Sequence, residues 1–505
     1  MKFRELISRT IGCNFKQKYE NNPREVVKEK RKHEGSPLVQ YVAGFFACMS
    51  TAVWGAYAAW PSPAIPHLTR ENSTFVVTDV QGGWIVSLFM LGDLIGGLIN
   101  PLFIDRIGRK YTLLLFYLPG LIGWMLIIFA NNYVYLYVAR LIAGIGQGGV
   151  YAPLVIYVTE ISEKNIRGIL VNMINITYAA GIFIFTSMAV YVSYETLNLT
   201  CASISIIFLL IFPLLPETPY YYLMTGRTDD ALKCLMKLRG INESDKLDSD
   251  IREMQLAINE DQRLSKSGFM ELISKSCNRK GLAIIFCMKL TQFLSGIEAI
   301  SAYAQQIFTK SSPSINPGVQ VMILNGISLL ASLVTNIVID RFNRRTLFLS
   351  SGLLGSLSLG SVGLFFFMEL YLKVDVSSYK MIPLVALVLF YVLYQLGFGI
   401  IPFIVQGELF SINVKGRAVA CGMVMGSFFS FSTLAGYNVL SNAAGVYMAF
   451  FFFATTALLG SVITFWIMPE TKGRSLEEIQ AMMNPEMKKG LESARKIKKS
   501  SKLET

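Results

Sequence analysis

Apolar and polar residues in this chain come in blocks rather than in alternation. Apolar runs fall near 38–60, 82–104, 111–130, 134–157, 169–192, 200–215, 281–307, 319–339, 346–369, 382–406, 418–440 and 445–468. As a helix rising about 1.5 Å per residue, a run of about 20 residues crosses the ~30 Å hydrocarbon core of a bilayer. The runs carry no water-facing stripe, so they do not read as amphipathic helices of a soluble enzyme. The pattern predicts an all-α membrane protein of twelve transmembrane helices. The sixth run is short and is expected to extend into its flanking loop.

The one long polar interruption is 220–279. Within it, "DDALKCLMKL" and "SDIREMQLAINEDQRL" place apolar residues at helical spacing, which predicts short surface helices. The chain therefore divides into an N-terminal segment (1–37), a six-helix half (38–219), a helical linker (220–279), a second six-helix half (280–468) and a tail (469–505). Residues 1–36 are polar and basic and do not read as a cleaved signal peptide.

Composition sharpens this picture. Of 505 residues, 53% are hydrophobic and 16% charged, against about 25% charged in soluble domains. The net charge is +12, and the bases crowd the N-terminal segment, the turns at 104–111 and 340–345, the linker and the tail. The positive-inside rule then places both termini and the linker in the cytosol of a multi-pass protein, expected in the plasma membrane. A basic surplus can also mean nucleic-acid binding, but no nucleic-acid module or aromatic stacking motif accompanies it. Two histidines and seven scattered cysteines give no metal-ligand spacing, so neither metal nor cofactor is expected. No HExxH, Walker A or GxSxG constellation points to an enzyme. "GIGQGG" (144–149) lies inside a span, where small residues let helices pack closely. Of the N-x-S/T sequons on the outer side, Asn72 is the glycosylation candidate and Asn198 lies close to the membrane.

A charged hexapeptide recurs. "DRIGRK" (105–110) and "DRFNRR" (340–345) each follow the second apolar run of a half. Two repeats with a site at their interface are a common transporter plan, and alternating access needs a latch at the closed face. Solvated charge pairs suit a latch, at about 0–1 kcal/mol each. Asp105, Arg109, Arg140, Glu160 and Arg167 form a candidate set in the first half. Asp340, Arg344, Arg345, Glu408 and Lys415 form its echo. The same bases also serve as topology anchors.

The motifs resemble those of the sugar porter family of the major facilitator superfamily over nearly the whole chain. "DRIGRK" and "DRFNRR" match the family's D-R-x-G-R-R loops. "RLIAGIGQG" (140–148) matches R-x-x-x-G-x-G-x-G, and "YVTEISEKNIRG" (157–168) matches Y-x-x-E…R-G. "PETPYYYL" (216–223) resembles P-E-S-P-R-x-L, and "QFLSGIEAISAY" (292–303) resembles Q-Q-L-S-G-I-N-A-x-x-Y-Y. "PETKGRSLEEI" (469–479) matches P-E-T-K-G-R-x-L-E-E-I. Among subfamilies the chain is most similar to insect facilitated trehalose and hexose transporters. The resemblance implies the major facilitator fold, a small-molecule sugar substrate and residence in a lipid bilayer.

It also implies a sugar pocket. Gln292 matches the first glutamine of the span-seven motif, with Phe293 at the second. Glu298 stands where the family has asparagine, and Tyr303 matches the second tyrosine. A helix break at Ser295–Gly296 lets Gln292 and Glu298 share the cavity. Asn175 falls where the family has a span-five glutamine. In "YQLGFGIIPFIVQGE" (394–408), Gln395 stands where mammalian glucose facilitators have glutamate, and Phe403 replaces the family's tryptophan. Proton-coupled members carry a span-one carboxylate, which 41–60 lacks. That favours facilitated diffusion. Asp93, Lys289 and Glu298 are ionisable residues inside spans, where each is expected to find a partner. One reading ties Lys289 to Asp93 or Glu298; another makes a carboxylate a proton carrier. A non-transporting membrane sugar sensor is the remaining alternative.

Overall fold

The computed structural model describes residues 36–71, 73, 75–163, 165–241, 243, 247–265, 268–311, 315–339, 341–474, 478–479 and 482. Among these, twelve helical stretches are long and apolar enough to cross a membrane. Spans one to six are Leu38–Leu68, Asp79–Ile99, Arg109–Ile128, Tyr133–Ile161, Arg167–Tyr191 and Tyr194–Leu214. Spans seven to twelve are Ser276–Ser311, Pro317–Thr335, Arg344–Tyr371, Ser377–Leu409, Val414–Ala444 and Val446–Ile467. The sixth begins at Tyr194, so the short apolar run does continue into its flank. An even number of crossings puts the start of span one and the end of span twelve on one face, here the terminal face; the opposite face is the far face.

Local chemistry sets the ends and breaks. Span two opens with a capping box: Gln81 N–H donates to Thr78 Oγ1, and Gln81 Oε1 accepts from Thr78 N–H. Span seven is two helices, Ser276–Leu294 and Ile297–Ser311, joined where Gly296 takes φ 82°. That left-handed backbone costs an L-residue about 1–2 kcal/mol, so the expected break at Ser295–Gly296 is present and glycine fits it. Span ten is interrupted between Leu396 and Ile401. Spans two and four meet through glycine: a Cβ on Gly144 or Gly148 would lie 2.0 Å from Phe89 O or 1.9 Å from Asp93 O. "GIGQGG" is thus a helix contact.

The linker contains helices Pro219–Met224, Thr228–Arg239, Asp248–Ser265 and Gly268–Ser274. Leu223, Ala231, Leu235, Leu247, Met254 and Ile258 form its own apolar core. It docks on the first half: Arg239 Nη1 lies 2.5 Å from Glu163 Oε1, and Gln40 Nε2 donates to both Glu163 and the Leu238 carbonyl.

The two halves touch at the far face and mid-membrane. Gln305 N–H donates to Ser62 Oγ (3.2 Å), and Asn438 Nδ2 donates to the Asp79 carbonyl (3.0 Å). Deeper, Ser427 Oγ donates to Asp93 Oδ2 at 2.5 Å. The far side is closed.

Candidate functional site

Between the halves lies a cavity of about 320 Å³, walled by Asp93, Gln147, Asn175, Lys289, Phe403 and Ser427 among others. It reaches Asn100, Pro101 and Ala420, near the terminal-face ends of spans two and eleven. Its polar groups come from both halves, so a molecule bound here would touch each.

Asn175, Phe403, Asp93 and Lys289, all singled out in the sequence, line this cavity. Lys289 is 2% exposed. Its Nζ sits 3.6 Å from the centre of the Phe403 ring and donates to Gln292 Oε1 at 3.0 Å. The tie to Asp93 or Glu298 is not formed: among the described residues no carboxylate lies within 4.0 Å of Lys289. Asp93 instead accepts from Ser427, and the ammonium is served by an aromatic face and an amide, both neutral.

Gln292 stands behind Lys289, where its Nε2 donates to the Gly399 carbonyl at 3.3 Å. Phe293 packs its ring on Gly426, 5.8 Å from Lys289 Nζ. Glu298 is half-buried beyond the helix break. Gln395 donates to Ser328 Oγ at 3.1 Å on the neighbouring eighth span. Tyr303 is elsewhere. Its ring packs at a tilt against Tyr437 (4.8 Å) and lines a separate vestibule of about 690 Å³ with Arg70, Asp79 and Gln305. The second half of span seven rises from the break toward the far face and carries Tyr303 away from the central cavity.

At the terminal face Arg109 is buried. Its Nε lies 3.1 Å from Glu160 Oε2 and its Nη1 lies 3.3 Å from Asp105. In the second half Arg344 Nη2 lies 4.0 Å from Glu408, while Arg345 donates to the Phe465 carbonyl at 2.6 Å and lies over its ring. Each network is internal to one half. Arg167 donates to the Ser162 carbonyl rather than to Glu160, and Lys415 is exposed beside Gly407. Arg140 does not belong to this set. It stands at the opposite end of span four from Glu160, about 30 Å away at the helical rise. There it donates to the carbonyls of Tyr57 (2.8 Å) and Ile85 (3.2 Å) and lies over Phe89. Asp340 and Asn72 fall outside the described residues. Asn198 is buried, and its Oδ1 accepts from Trp60 Nε1, which leaves it no room for a glycan.

Two carboxylates were missed in the sequence. Glu217 accepts from the N–H groups of Lys110 (3.0 Å) and Thr218 (2.8 Å), capping span three. Glu470 accepts from the N–H groups of Arg344 (3.1 Å), Arg345 (3.1 Å) and Lys472 (3.0 Å), capping span nine. The signal was present: "PET" recurs at 216–218 and 469–471, once after each half. Burial pushes the Glu217 carboxyl above the ordinary range, against the pull of the Thr218 and Lys110 donors.

Twelve spans in two halves around a shared polar cavity, with matched charged turns and matched caps, define a transporter of the major facilitator superfamily. Solved structures agree on the fold. The xylose transporter XylE from E. coli superposes in an inward-open form (TM-score 0.72, 17% identity, 88% of this chain and 99% of that one). It also superposes in a partially occluded inward-open form (TM-score 0.71, 17% identity, 87% and 100%). More narrowly, the chain belongs to the sugar transporter family, a family of transporters rather than enzymes: the model for "Sugar (and other) transporter" matches residues 37–483. The facilitated trehalose transporter Tret1 of Apis mellifera ligustica is 31% identical over 457 residues, 90% of each chain. That of Culex quinquefasciatus is 30% identical over 447 residues, 88% of this chain and 86% of its own length.

Proposed function

We propose that the protein carries a hexose or a disaccharide such as glucose or trehalose across the plasma membrane, by facilitated diffusion and alternating access. The observation that carries this reading is the cavity between the halves, closed at the far face and lined by polar side chains from both. The excess of bases at the terminal face supports a cytosolic assignment of that face and of both chain ends. On that assignment the conformation described is open inward. Arg109 with Asp105 and Glu160, and Arg344 with Glu408, then work as rigid elements of each half that meet when the cytosolic face closes.

The carboxylate-free stretch 41–60 favours uniport. The test is uptake of labelled glucose and trehalose into proteoliposomes. Saturable, stereospecific entry that follows the sugar gradient alone is expected. Accumulation driven by a proton gradient, collapsed by a protonophore and lost in Asp93→Asn, overturns uniport in favour of symport. Saturable binding without flux makes the protein a sensor.

A further inference from the structure

The Lys289 amine is buried and, among the described residues, held by neutral groups alone. Its ammonium has three donors. One goes to Gln292 Oε1 at 3.0 Å, and the Phe403 ring, 3.6 Å away, takes up another face. Lys289 nonetheless lines the central cavity, and among the described residues no carboxylate lies within 4.0 Å of it. A cation inside a membrane protein is costly without an anionic partner. A protein that builds a π face and an amide around an ammonium, and leaves it facing a cavity, leaves a place for an anion that arrives with the ligand.

The remaining polar groups of the same cavity want hydroxyls. Asp93 is an acceptor, with Oδ2 taken by Ser427. Gln147 Oε1 is buried without a hydrogen-bond partner. Asn175 offers both donor and acceptor. An anionic end at Lys289 and a hydroxyl-bearing body against Asp93, Gln147 and Asn175 describe a single chemical class. We propose that this cavity binds and transports a carboxylated monosaccharide, a hexuronate. A phosphorylated sugar fits less well: it brings nearly two charges to one lysine, with Asp93 on the same wall. The volume of about 320 Å³ lies at the low end of ligand cavities, which run from about 300 to 1,000 Å³, and suits one ring better than two.

This inference rests on the transporter reading, and the experiment separates the two. Full-length protein in proteoliposomes is given labelled glucuronate and labelled glucose, and the detergent-purified protein is heated with each sugar to read ligand-induced stabilisation. Saturable glucuronate entry that competes with glucose is expected. Lys289→Met is expected to lower the glucuronate-to-glucose uptake ratio about tenfold or more, the weight of a charge-assisted hydrogen bond. Lys289→Arg is expected to keep the ratio, and Phe403→Trp to keep it better than Phe403→Leu. A wild-type protein that carries glucose and ignores glucuronate overturns the proposal, as does a ratio unchanged in Lys289→Met. If neither sugar enters while the protein remains monodisperse, transport fails and the thermal readout decides. Stabilisation by glucuronate that Lys289→Met abolishes then supports the site, and its absence in wild type overturns it.

Discussion

Removing the Glu217 side chain tests whether the recurring "PET" segments hold the charged turns in place. Glu217 is 3% exposed, and both its oxygens face N–H groups: Lys110 reaches Oε1 at 3.2 Å and Oε2 at 3.0 Å, and Thr218 reaches Oε1 at 2.8 Å. Glu217→Ala strands two backbone donors, at about 1–3 kcal/mol each when buried. The expected loss is about 2–5 kcal/mol after water recovers part of the bonding.

Glu217→Gln should be much milder, within about 1 kcal/mol. Burial pushes the Glu217 carboxyl above the ordinary carboxylate range, so the folded protein prefers the neutral form relative to the unfolded chain. The contribution of this titration to stability is fully present below the ordinary carboxylate range and is lost as pH rises through the raised pKa. The oxygen acceptors, not the charge, stabilise the turn, and mild acid should not weaken it here. The assay is the half-time for loss of the monodisperse peak in detergent at a fixed temperature, because unfolding of such proteins is operationally a rate. Glu470→Ala should match Glu217→Ala, since Glu470 serves three N–H groups. The double variant should be additive, because the sites lie in different halves. Glu217→Ala indistinguishable from wild type, or Gln as damaging as Ala, refutes the argument.

Two further outcomes follow from neighbouring geometry. Gly108→Ala should shorten the same half-time markedly, because φ is 94° and the new Cβ would fall 2.5 Å from Glu217 Oε2; Asn343→Ala, at the matching position with φ −70° and no side-chain cap bond, should change stability by no more than about 0.5 kcal/mol. Ser427→Ala removes a hydrogen bond that joins the halves through Asp93, worth about 1.5–3 kcal/mol, and should move the population toward opening at the far face; a cysteine placed at Gln306 would then react faster with an impermeant maleimide, and an unchanged rate contradicts the brace.

The legible part of this molecule was what repeats or what pays no attention to neighbours. Span count follows from apolar run length alone, and the Ser295–Gly296 break was legible through the resemblance because glycine there fits φ 82°. Arg109 with Glu160 was legible because both sit at the same end of adjacent spans. Arg140 was misplaced because a shared motif was taken for a shared location, and only the length of span four separates it from Glu160. The tie between Lys289 and Asp93 failed for a different reason. Opposite charges in one membrane suggest pairing, but a sequence does not show that Phe403 presents its ring to the ammonium or that Ser427 comes from the other half to meet the aspartate. Gln292, expected to face the sugar, spends both ends of its amide on Lys289 and Gly399.

The pairing of hexapeptide and "PET" also bears on how the halves move. In the first half Asp105, Arg109 and Glu160 join spans three and four to the turn before span three, and Glu217 binds that turn to the exit of span six. In the second half Arg344 and Glu408 join spans nine and ten, Arg345 ties span nine to Phe465 of span twelve, and Glu470 caps span nine from the exit of span twelve. Each set ties the ends of one half together and none of these described contacts crosses to the other. Alternating access by rocking requires this division: strong bonds within a half and breakable ones between halves. The described bonds across the interface are single hydrogen bonds, at Ser62, Asp79, Asp93 and Thr186, each worth about 0.5–3 kcal/mol, a range that ligand binding can reverse. Among the described residues, the charges at the terminal face therefore bond within their own half, once in each half.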